Sequence, residues 1–63
     1  MKVVKISNPQ TGSVLELQYD LVHLDEVRML QNGKMVGVKT VRAADAAVEK
    51  ALAAGMPVLV EEV

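Results

Sequence analysis

The 63-residue sequence predicts a small α+β fold: an antiparallel β-sheet of two β-hairpins, in the order β-β-β-β-α-β, with one Ala-rich helix packed on one face. Three observations predict it. Two stretches alternate apolar and polar residues around a cluster of turn formers. An Asn-Gly dipeptide sits between two further apolar runs, and an alanine-rich segment is closed by glycine and proline.

Residues 2–7 read as the first strand, with Val4 and Ile6 on one side of the pleat and Val3 and Lys5 on the other. Asn8-Pro9-Gln10-Thr11-Gly12 follows, where proline fixes φ and glycine is free to take positive φ. Residues 14–19 alternate again, with Leu15, Leu17 and Tyr19 against Glu16 and Gln18. A loop closed by Asn8 and Ser13 sets Ile6 against Leu15, Val4 against Leu17 and Lys5 against Glu16. One face is then apolar and the other carries an opposite-charge pair, as a half-buried antiparallel hairpin requires.

Asn32-Gly33 is the preferred pair for a two-residue type I′ turn, in which both central residues need positive φ. Such a turn predicts Gln31 opposite Lys34, Leu30 opposite Met35, Met29 opposite Val36, Arg28 opposite Gly37, Val27 opposite Val38 and Glu26 opposite Lys39. That register gathers Val27, Met29, Val36 and Val38 on one face. Arg28 and Lys39 share the other, with a Glu26–Lys39 pair. The competing expectation is a short helix over 24–31, ended by Gly33. Its apolar residues, at 21, 22, 24, 27, 29 and 30, scatter around a helical wheel and form no stripe. Between the hairpins, Val22 and Leu24 have one parity and Val27 and Met29 the other. A bulge or loop around Asp25 must absorb that slip.

Residues 42–54 are predicted to form the helix. Ala44, Ala47, Val48, Ala51 and Leu52 keep the spacing of one face, while Arg42, Asp45 and Glu49 lie on the opposite side. Gly55 is the expected residue after the helix cap, and Pro57 prevents the helix from resuming. A mostly alanine face lets the helix lie close on a sheet. The continuously apolar run 58–60 predicts a last strand more enclosed than the others, running into Glu61-Glu62-Val63.

Composition limits what such a domain can be. Lys plus Arg total 7 against 8 for Asp plus Glu, a net charge of -1 that excludes a generically cationic nucleic-acid coat. Hydrophobic residues make up 51% and charged ones 24%, which is globular composition. The opening MKVVKIS lacks the apolar run of a signal peptide, and no stretch nears the roughly 20 apolar residues of a membrane span. These features predict one soluble, cytoplasmic domain over 1–63 that needs no cofactor and contacts no membrane.

Stability points toward a partner. Tyr19 is the sole aromatic residue and cysteine is absent, so the core is aliphatic and without disulfides. A domain of about 60 residues buries only about 60% of its unfolded surface. A homodimer is the expected supplement.

Little in the sequence suggests chemistry. His23 sits among Asp20, Asp25 and Glu26, but one histidine with loop carboxylates lacks the ligand count of a zinc site. Ser7, Thr11, Ser13 and Thr40 match no nucleophile motif, and the glycines are too scattered to cradle phosphate. Charge is distributed more tellingly: residues 1–26 sum to -2, residues 27–42 to +4 and residues 43–63 to -3. The second hairpin is thus a basic protrusion on an acidic body. Leu30 and Met35 oppose each other beside its turn, a contact point for another chain. The expected function is a non-enzymatic, self-associating protein-interaction module that binds through Arg28, Leu30, Lys34, Met35, Lys39 and Arg42. The alternative is a small nucleic-acid-binding protein, or an inhibitor of a nucleic-acid enzyme, using Arg28, Lys34, Lys39 and Arg42. Against that alternative, the basic segment offers no aromatic ring for base stacking.

Overall fold

A computed structural model describes residues 1–20, 22 and 25–63. Five strands, β1 (Lys2–Ser7), β2 (Val14–Tyr19), β3 (Val27–Gln31), β4 (Lys34–Lys39) and β5 (Val58–Glu62), form one antiparallel sheet in the order β4-β3-β2-β1-β5. One helix, α1 (Val41–Ala53), leaves the β4 edge and returns the chain to the β5 edge. The α+β order expected from the sequence is the order found, and residues 27–31 are strand rather than helix.

The first hairpin has the predicted register, with Ile6 opposite Leu15, Val4 opposite Leu17 and Lys5 opposite Glu16. Its loop closes as expected: the Asn8 amide donates to Ser13 O at 2.8 Å, and Gly12 takes φ +75°. The predicted Lys5–Glu16 pair gives way to neighbours. Lys5 Nζ lies 3.6 Å from Glu61 on β5, while Glu16 accepts from Nε2 of the Gln18 side chain.

The second hairpin departs from its predicted register. Asn32 at φ 52° and Gly33 at φ 85° make the expected turn, and Gln31–Lys34 and Leu30–Met35 pair as expected. Beyond them a β-bulge intervenes: Met29 faces Gly37, Arg28 faces Val38 and Val27 faces Lys39. Val36 is the extra residue. Edge strands favour bulges, and glycine within a strand often marks one. The shift removes the Glu26–Lys39 pairing and turns Val38 away from the core.

Helix α1 is held at both ends by its own sequence. Thr40 caps it, Oγ1 accepting from the Ala43 amide at 3.2 Å. After Ala54, Gly55 at φ 76° donates to Leu52 O, and Met56 donates to Ala51 O, each at 3.0 Å. These two bonds are a Schellman motif, which needs a residue in the left-handed region. Ala44 and Ala51 are buried against Val4, Ile6, Leu17 and Val27. Leu52, expected on this face, is 59% exposed, because the buried stripe runs through Val41, Ala44, Val48 and Ala51 and Leu52 lies about 100° round the helix from Ala51. The last strand also differs from expectation. β5 is an edge rather than an enclosed strand, and Leu59 and Val60 are each 56% exposed.

Candidate protein interface

Alternation along each strand divides the sheet into a helix-side face and an open face. The open face carries two rows of side chains that cross all five strands. One row is Leu59, Lys5, Glu16, Leu30 and Met35; the other is Glu61, Val3, Gln18, Arg28 and Val38. Val3 is buried even here, opposite Gln18 and Glu61. Met35, Val38 and Leu59 are 54 to 56% exposed, so the strands at both ends of the rows present aliphatic surface. Two cations, Lys5 and Arg28, are matched by two anions, Glu16 and Glu61.

The helix-side face has two corners that α1 does not cover. A five-stranded sheet is about 19 Å across and a helix with its side chains about 10 Å, so a diagonal helix must leave both. One corner is apolar. Two adjoining cavities of about 330 and 410 Å³ share Ile6, Leu15 and Met56. Met29, Gln31 and Val36 extend one toward the hairpin tip, and Ala47, Lys50 and Ala54 extend the other along α1.

The opposite corner is polar, a cleft of about 220 Å³ bordered by Lys2, Tyr19, Asp45, Glu49 and Val60. There the Tyr19 hydroxyl donates to Asp45 Oδ1 at 2.8 Å, and Lys2 Nζ lies 4.7 Å from the Tyr19 ring centroid. Burial, then the bond to Asp45 and its negative charge, push the Tyr19 phenol up to about 12. This cluster was not anticipated from the sequence. Its signal is the only aromatic residue placed at the end of a core-facing row, where its hydroxyl must find a partner at the sheet rim.

The predicted site residues are not all brought together. Arg28, Leu30 and Met35 share the open face, joined there by Val38 and Leu59. Lys34 and Lys39 lie on the helix side, in the rows of Gln31 and Val27, and exposed Arg42 is in the first turn of α1. Arg28 and Lys39, expected on one face, are therefore on opposite faces, a direct result of the bulge. The hairpin tip is pinned to β2. The Val14 amide donates to Asn32 Oδ1 and the Asn32 amide to Val14 O, each at 2.9 Å.

The His23 site lies outside the described residues. Among the described residues no three His, Cys, Asp or Glu side chains converge as metal ligands, and no helix is long and apolar enough to cross a membrane. The chain matches no protein-family model, no curated protein and no solved structure.

Proposed function

We propose that this protein is a non-enzymatic interaction module whose open sheet face pairs with the same face of a second copy. The observation that carries the reading is the self-complementarity of that face. Its aliphatic groups lie at the strand ends of the rows, and its charges balance within it. A twofold axis across the strands, between the two rows, lays one row over the other. Met35 then meets Val38 of the second copy and Glu16 meets Gln18. Lys5 meets Val3, Glu61 meets Leu59 and Arg28 meets Leu30, so no like charges are opposed. Sheets stacked this way sit about 10 Å apart with their strands roughly aligned.

A chain this small gains most from such pairing. Among the described residues only seven hydrophobic ones are buried: Val3, Val4, Ile6, Leu17, Val27, Ala44 and Ala51. Covering Met35, Val38 and Leu59 adds aliphatic burial at about 25 cal/mol per Å². Edge-to-edge growth at β4 is less favoured, since the bulge interrupts its ladder and Lys34 and Lys39 guard its ends. The nucleic-acid alternative loses geometric support, because its four cations are divided among two sheet faces and a helix.

Light scattering at micromolar concentration tests the reading. The expected result is a dimer mass for the wild type and a monomer mass for Met35→Ser/Val38→Ser, both still folded. A monomeric wild type contradicts it.

A further inference from the structure

We infer that the apolar corner between α1 and the second hairpin is a docking groove for an acidic amphipathic helix of a partner protein. The inference extends the interaction-module reading to a second surface, on the face away from the proposed self-pairing.

The groove has helix dimensions. It lies beside α1 over β1 to β4, three strand spacings or about 14 Å, which leaves room for a helix axis about 8–10 Å from that of α1. Its floor is aliphatic and thioether, with Ile6, Leu15, Met29, Val36 and Met56, and polar Asn8, Ser13 and Gln31 border it at the loop and tip ends. Two methionines suit a surface that must adapt to the ridge of an incoming helix. Gly37 follows Val36 beside the floor. It faces Met29 in the ladder, and a Cβ there would meet only Met29 Cε, at 3.9 Å.

The charges select the partner. Lys50 lines the α1 side, and Lys34 stands opposite the lining residue Gln31 at the tip end. Among the described residues no acidic side chain lines either cavity. The acids of α1, Asp45 and Glu49, border the other corner. A helix with leucine-type residues at i, i+3, i+4 and i+7 and carboxylates on its flanks matches this floor and rim. A β-strand does not, because the bulge at Val36 breaks the edge it would extend.

The methionine methyls are built-in reporters. Met29 and Met56 line the groove, whereas Met35 lies on the open face. Protein labelled with ¹³C at its methionine methyls is titrated with a synthetic Leu-rich amphipathic peptide flanked by glutamates, and separately with the same peptide flanked by lysines. The expected result is saturable movement of the Met29 and Met56 signals, with about tenfold tighter binding of the glutamate peptide at low salt. Val36→Glu, at an exposed lining residue, should abolish binding of the glutamate peptide, and Lys34→Glu/Lys50→Glu should reverse the charge preference. No binding of the glutamate peptide, equal binding of both peptides, or movement of Met35 in place of Met29 and Met56 overturns the inference. Self-association is measured separately as mass, so the two proposals fail independently.

Discussion

The two hairpins are built from similar residue types and serve different ends. The first is central in the sheet, flanked by β3 and β5, and supplies Val4, Ile6 and fully buried Leu17 to the core. The second ends in an edge strand, and only Val27 of its residues is buried. Met35, Val36 and Val38 stay 53 to 55% exposed, more aliphatic surface than folding uses. Burial on one hairpin and exposure on the other teach that the first holds the fold together and the second is available for contact with another chain.

Substitutions can break that contrast, beginning with the largest expected effect. Leu17→Ala removes a side chain with no exposed surface and should cost about 3 kcal/mol, measured by urea unfolding. Asn32→Ala loses both the left-handed preference and the bond from the Val14 amide, which tie the hairpins together, at about 1.5 kcal/mol. Tyr19→Phe deletes the bond to Asp45 and should cost about 0.5–1 kcal/mol. Met35→Ser should change the stability of the dilute monomer by less than about 0.5 kcal/mol. A cost for Met35→Ser equal to that of Leu17→Ala would erase the distinction between the hairpins.

Alkaline pH sharpens the comparison from the other side of the sheet. Tyr19 is the sole aromatic residue, so absorbance at the phenolate band reports it alone. Folding raises its pKa from 10.0 to about 12, so the folded state holds the proton longer than the unfolded chain. Its stabilising contribution is complete below pH 10 and is lost as pH rises toward 12. Asp45→Asn removes the charge and should bring the titration midpoint down. An unchanged midpoint would separate Tyr19 from Asp45.

Legibility followed local determination. The first hairpin was readable residue by residue, because its loop chemistry and its apolar alternation select one register, and both neighbouring strands reinforce it. The turn at Asn32-Gly33 was readable for the same reason. The bulge was not. It falls between Met35 and Gly37 at an edge where no further strand enforces pairing, and alternation alone favoured Val36 and Val38 together. The exposure of β5 was also hidden, since an apolar run such as Val58–Val60 looks alike at the centre and the edge of a sheet. For the candidate interface, the Leu30–Met35 pair was visible from the turn. The separation of Arg28 from Lys39 hung on the bulge, and the Tyr19–Asp45 contact joins residues 26 apart in sequence.

The proposed contact between Met35 and Val38 across two copies is the most direct test of the second hairpin's role. Isotope-filtered NOE spectroscopy on an equimolar mixture of labelled and unlabelled protein reads it. The predicted result is an intermolecular cross-peak between the Met35 methyl and a Val38 methyl, lost on dilution to monomer. Intermolecular cross-peaks confined to other surfaces, or none at concentrations where a dimer mass is present, would contradict it.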